Sequence, residues 1–212
     1  MKNIYIVLIK AHTGLGKLAK TITKYDYTHI AVCFDNKLTE FITYSRRRHY
    51  LPLDAGFMYE YRDYYAFGKN NKVRVKVFRL PVNDDCYINV KEFIKKCKND
   101  NMQMFNLFSM LTMSVIHGFR IYKSHNCMSF VARITELSGA VKMNKPYYRY
   151  SIKELDRLLN GYEYFEGNLK RISSKDYEKY MKKPLLSEYF HVSADTIFTL
   201  IKRMLFCNGI EE

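Results

Sequence analysis

Three observations predict an α+β fold for this chain of 212 residues. Short apolar or alternating runs with strand character lie between Ile4 and Leu80, apolar residues recur at helical spacing beyond that point, and neither an internal repeat nor a low-complexity stretch interrupts the order. A composition that is 48% hydrophobic can bury a full core, and a chain of this length suits one domain, or one domain with an appendage.

The elements follow in chain order. Residues 4–9 form an apolar run that reads as a buried strand, followed by a glycine-containing loop at 12–16 and a short helix at 17–23. Two further runs, 29–34 and 38–44, flank Asp35-Asn36-Lys37, whose turn chemistry predicts a β-hairpin. Residues 45–71 are polar and aromatic without a clear period and are expected to be loop with short helical pieces. From 72 to 80, charged and apolar residues alternate, which predicts a strand with one wet face and one buried face. Helices are expected at 89–99, at 106–116 as buried core, and at 127–137, where Ser138-Gly139 ends the pattern. Ser151 and Glu154 form a capping-box pair opening a further short helix. A basic connector, 170–183, leads to a helix at 193–206 with Ile197, Leu200, Ile201, Met204 and Leu205 on one side, suited to core packing or to an interfacial membrane position.

Composition narrows the function classes. A formal net charge of +14 favours anionic partners, whether nucleic acid, lipid or acidic polymer. No nucleic-acid module or aromatic-basic RNP-type strand accompanies it, so nucleic acid is not an expected partner. Cys33, Cys86, Cys97, Cys127 and Cys207 are odd in number, widely spaced and without a C-x-x-C pair, which predicts neither a disulfide framework nor a metal site. A reducing, cytoplasmic setting fits them, with peripheral contact to an anionic membrane left open. The run at 4–9 is too short for a secretory signal, and no segment reaches the roughly 20 apolar residues of a membrane span. Ala11 to Leu18 imitates a phosphate-binding loop, but Ala11 stands where that loop needs glycine and Leu18 where it needs a hydroxyl. No cofactor is expected.

The chemistry-bearing residues are a histidine on a strand, His29, and a cysteine where a loop enters a helix, Cys127. A thiolate is the attacking species in thiol catalysis, and a helix N-terminus with an imidazole nearby favours it. Each residue alone has an ordinary structural explanation: a hydrogen-bonded strand-end histidine, a buried small hydrophobe. His125, next to Cys127, is a poor base on geometric grounds. Arg46-Arg47-Arg48 follows the hairpin as a solvated run or as a patch for a carboxylate or phosphate.

Taken in order, Thr28-His29-Ile30-Ala31-Val32, Leu38 through Tyr44, and Asn126-Cys127-Met128-Ser129-Phe130-Val131 resemble the circularly permuted papain-like cysteine hydrolases of the NlpC superfamily, YiiX-like branch. Met128 departs from the serine common after the nucleophile. The resemblance covers residues 3–170 through short motifs. It implies a permuted papain-like fold, an antiparallel sheet packed against helices, in a domain of residues 1–170. Residues 171–212 would add a basic connector and a C-terminal helix packed on that domain. It further implies Cys127 as nucleophile, His29 as general base, and a third polar group orienting the imidazole. Glu40, across the turn, is the first choice, with Thr43 and Thr39 as alternatives. Arg46, Asn126 and Thr43 are candidate substrate-binding residues, with Asn126 or His125 as oxyanion donors beside the Cys127 backbone N–H.

The expected activity is hydrolysis of an amide or ester, peptide or lipid, through an acyl-Cys127 intermediate. A lipid-directed thiol acyltransferase or thioesterase, and a non-catalytic binding module retaining the fold, are the alternatives.

Overall fold

β1, Lys2–Ile9, explains the apolar N-terminal run: it is central in a six-stranded antiparallel sheet and buried on both faces. The computed structural model describes residues 1–11 and 25–207, so the loop and helix expected within 12–23 lie outside the described residues. The strands are β1, β2 (His29–Cys33), β3 (Glu40–Arg48), β4 (Leu51–Tyr61), β5 (Lys72–Val82) and β8 (Glu163–Lys170). Their order across the sheet is β4-β3-β2-β1-β5-β8. Two two-residue strands, β6 (Met104–Phe105) and β7 (Ser124–His125), pair in parallel beside it.

Six α-helices accompany the sheet among the described residues: α1 (Asp84–Asn99), α2 (Leu107–Ile116), α3 (Cys127–Ser138), α4 (Ile152–Leu158), α5 (Tyr177–Met181) and α6 (Leu186–Phe206). Their positions relative to the sheet follow the two-residue period of β1. Ile4, Ile6 and Leu8 face one core, shared with Val90 of α1, Val131 and Ile134 of α3, and Leu155 of α4. Tyr5, Val7 and Ile9 face the other, shared with Tyr64, Tyr65 and Tyr180. Each fully buried aliphatic side chain here contributes about 1.5–3 kcal/mol.

The hairpin forms as expected: β2 and β3 pair with Val32 opposite Ile42, and Asp35 accepts from Thr39 N and Thr39 Oγ1 in the turn. The α3 helix and the Ser151–Glu154 capping box also match expectation, α3 ending at Gly139 with φ 62°. Asn83 and Asn106 each cap a helix by accepting from a backbone N–H in the first turn, which starts α1 five residues earlier than the apolar period suggests.

Four expectations are corrected. Residues 45–71 are chiefly strand: β3 continues to Arg48 and β4 follows with eleven residues. β4 is an edge strand whose burial does not alternate cleanly, so its period is masked by aromatic and polar residues on both faces. β5 does not keep one wet face. Val73, Val75 and Val77 are buried on one side, then Phe78, Leu80 and Val82 on the other, because the strand crosses from beneath one core to beneath the second. α2 is not core: Val115 is 77% exposed and Ile116 53%. The basic connector is not only connector, since β8 closes the sheet edge against β5 before it and α5 lies within it.

The segment after residue 170 is tied to the domain at several points. Tyr180 stacks on Tyr64 at 3.8 Å, Ser174 N and Oγ donate to the buried Asp63 carboxylate, and Arg203 donates to the Tyr122 and Lys123 carbonyls. Leu200 is fully buried. Leu200→Ala is therefore expected to lower the stability of the whole protein by about 2–5 kcal/mol in one cooperative transition; urea unfolding followed by circular dichroism checks this, and a separate early transition of the C-terminal helix would contradict it.

Candidate functional site

Asn126 places Cys127. Its side chain accepts from Ser129 N at 2.8 Å while Ser129 Oγ accepts from Asn126 N at 3.0 Å, a reciprocal cap that makes Cys127 the first residue of α3. The Cys127 backbone N–H thus belongs to the turn that has no intrahelical acceptor. His29 begins β2, where Thr28 N donates to Ile9 O at 3.1 Å and fixes the entry to the strand.

The two residues meet at a cavity of about 340 Å³ whose wall includes His29, Cys127, Glu60, Ser45 and Tyr65. The residue that holds the imidazole is Glu60, near the end of β4: His29 Nε2 donates to Glu60 Oε2 at 2.9 Å. Tyr65 OH donates to the same oxygen, and Ser45 Oγ donates to Oε1 at 2.5 Å. Three donors on a carboxylate that is 2% exposed are what a buried charge requires.

Glu40 does not take this place. The β2–β3 register, extended from Val32 opposite Ile42, sets His29 opposite Ser45 and Glu40 opposite Phe34. Glu40 lies on the pleat of Ile42 in the β3 alternation, whereas Ser45, and Glu60 through its partner Phe41, lie on the other pleat. It accepts from Tyr61 OH at 3.4 Å and lines a separate groove with Lys91 and Lys98. Of the alternatives, Thr43 is fully buried and donates to Ile30 O at 2.9 Å, and Thr39 donates to Asp35 in the turn. Neither lines the cavity that holds His29 and Cys127.

Asn126 is likewise buried, consumed by its cap, and outside the cavity wall. His125 packs its ring against Tyr44 at 5.2 Å and against Phe93 and Phe130, also away from the wall. Arg47 and Arg48 both pair with Asp54, and Arg48 also with Glu188, so two of the three arginines tie β3 to β4 and to α6. Arg46 alone of the three lines the cavity. The sequence signal for the missed residues was the alternation Phe57-x-Tyr59-x-Tyr61, a strand pattern with Glu60 as its one carboxylate. Among the described residues, no cluster of His, Cys, Asp and Glu is arranged to hold a metal ion.

Burial alone would lower the pKa of His29, but the Glu60 carboxylate, with the nearby Cys127 sulfur and the hydrogen bonds, outweighs it and pushes the imidazole up to about 10. Burial works against the Glu60 carboxylate too, yet His29 and the hydrogen bonds from His29, Ser45 and Tyr65 hold it below its ordinary value. The Tyr65 phenol is raised well above the usual range by burial and by Glu60, so it remains a donor.

These shifts make stability depend on pH. The His29 contribution is fully present below its ordinary value of 6.5 and is lost as pH rises through about 10. The Glu60 contribution is present above its ordinary 4.5 and is lost as pH falls through its lower folded value. Urea stability is expected to decline between about pH 6.5 and 10. Glu60→Gln, which leaves a buried imidazole without its counter-charge, is expected to cost about 3–5 kcal/mol at pH 6.5 and to flatten that decline; an unchanged slope in the variant would contradict the pairing.

Comparison of the chain with protein-family models, with curated proteins and with solved structures finds no match.

Proposed function

We propose that this protein is a cysteine hydrolase of amidase or peptidase type that works through an acyl-Cys127 intermediate. The observation that carries the reading is the convergence of Cys127, His29 and Glu60 on one cavity wall, with the imidazole held by a buried carboxylate through Nε2. That leaves Nδ1 as the nitrogen to serve the thiol. The order of a histidine strand before a cysteine helix supports a permuted papain-like site, with Glu60 in the role of orienting group.

In this mechanism, the proton of the Cys127 thiol rests on His29, whose imidazolium is the form that Glu60 favours, and the thiolate attacks the carbonyl carbon of an amide or ester, forming the S–C bond and a tetrahedral oxyanion. The Cys127 backbone N–H at the start of α3 donates to that oxyanion. Collapse breaks the bond to the leaving amine or alcohol, which takes the proton from His29. Water, deprotonated by His29, then attacks the thioester, and the acid leaves as the thiol is restored. Glu60 stabilises the imidazolium in both halves and, when the ring is neutral, keeps its proton on Nε2.

Iodoacetamide at pH 7, read by peptide mass mapping, is expected to label Cys127, itself buried but on the cavity wall, faster than the buried Cys33 and Cys97 and the partly buried Cys86 and Cys207. His29→Gln and Glu60→Gln are expected to slow Cys127 labelling by about 100-fold, the lower end of what a positioned acid–base group contributes, and Glu40→Gln to leave it unchanged. Equal labelling of all five cysteines would sink the assignment.

One observation favours a second, lipid-directed reading, as thioesterase or acyltransferase. α6 exposes Leu186, Phe190, Ile197, Phe198, Ile201 and Leu205 within one broad stripe, at about 100° per residue, flanked by Lys182, Lys183 and Lys202. The same helix contributes Tyr189 and Thr196 to the cavity wall. An apolar stripe edged by lysines on a chain of net charge +14 fits an anionic bilayer. Co-sedimentation with phosphatidylserine vesicles, reduced at least tenfold by Phe190→Glu with Phe198→Glu, is expected on this reading; full-length protein left in the supernatant would exclude it.

A further inference from the structure

We infer that the substrate of the proposed Cys127 site carries a carboxylate, and that Arg46 receives it. The inference rests on that reading and names a feature of its substrate. Arg46 lines the same cavity as Cys127 and His29 and follows directly on Ser45, which holds Glu60. Its guanidinium is oriented entirely by neutral groups: Nε donates to Tyr180 OH at 3.0 Å, NH1 to His49 O at 3.3 Å, and NH2 to His49 Nδ1 at 3.2 Å. His49 is neutral there, since burial and the Arg46 charge lower its pKa to about 4.

Among the described residues no carboxylate lies within ion-pair distance of Arg46, whereas its neighbours Arg47 and Arg48 are both paired. His29 and Glu60 on this wall pair with each other. A guanidinium has five N–H donors, and the three contacts to Tyr180 and His49 leave two. The cavity wall also includes the apolar Pro52, Leu53, Ala55, Leu107 and Met110. An uncompensated, preoriented cation beside apolar surface is a site for an anion. One positive charge with N–H donors to spare matches the single charge of a carboxylate; a phosphate dianion would leave a charge uncompensated. The scissile acyl group would then lie between Cys127 and Arg46, with a short apolar portion against Leu107 and Met110.

The probes are N-ethylmaleimide, which is neutral, and the carboxylate-bearing 3-maleimidopropionate and 6-maleimidohexanoate, whose two lengths span different reaches from the sulfur. Second-order rates of Cys127 labelling are measured by peptide mass mapping, and the readout is the ratio of anionic to neutral rate within each protein, so that a general loss of reactivity cancels. At least one of the two carboxylates is expected to give a ratio about tenfold higher in the wild type than in Arg46→Gln, the size of a charge-assisted hydrogen bond, with Arg46→Lys in between. Equal ratios in the wild type and Arg46→Gln, with N-ethylmaleimide labelling Cys127 rapidly, would overturn the carboxylate site alone. Failure of N-ethylmaleimide to label Cys127 in the wild type would instead overturn the thiol reading beneath it.

Discussion

The hydrogen bond from His29 to Glu60 is the constraint on which the arrangement of the site depends. A carboxylate that is 2% exposed is tolerable only while its charge is balanced and both oxygens are bonded. Balancing it requires β2, β3 and β4 to keep one register, because His29, Ser45 and Glu60 come from three successive strands. A slip of one residue in β4 would turn Glu60 to the opposite face and leave both charges unpaired. Tyr65, just past the 3-10 turn Arg62–Tyr64, completes the ring of donors and ties the end of β4 to the core beneath β1.

The helix side of the site is set by a separate, local device. The Asn126–Ser129 cap fixes where α3 begins, and Val131, Ala132 and Ile134 anchor it on the sheet core, so Cys127 is placed by packing and by the cap together. The C-terminal segment then builds part of the wall: Tyr180, Tyr189 and Thr196 line the cavity, and Thr196 Oγ1 donates to Leu53 O at 3.2 Å. Arg48, paired with both Asp54 and Glu188, links the strand carrying Arg46 to that segment. Residues beyond 170 are in this sense part of the site.

How much of this was legible in the sequence varies with how local the determining interaction is. The α+β class, the hairpin around Asp35-Asn36-Lys37, the start of α3 and the Ser151–Glu154 box are set by neighbours in sequence, and they were readable. Cys127 and His29 were readable as candidates from their settings and from a family resemblance. Glu60 is not legible there, because an edge strand rich in aromatic and polar residues shows the alternation of a half-buried strand only over 57–61. Nearness in sequence favours Glu40, whereas the bond that forms joins residues 31 positions apart across an intervening strand. Thr43 and Asn126 lie outside the cavity wall, each side chain being committed to a backbone group. Arg46 differs from Arg47 and Arg48 only in tertiary partners, which no reading of the triplet could separate.

The central claim is that Glu60, not Glu40, holds His29 as the basic partner of Cys127. Nitrogen-15 NMR of the histidine side chains at pH 8 tests it most directly. The account predicts that the His29 ring carries both protons at that pH in the wild type and in Glu40→Gln, its pKa being near 10, and becomes neutral in Glu60→Gln. A neutral His29 ring at pH 8 in the wild type, or one unaffected by Glu60→Gln, would contradict it.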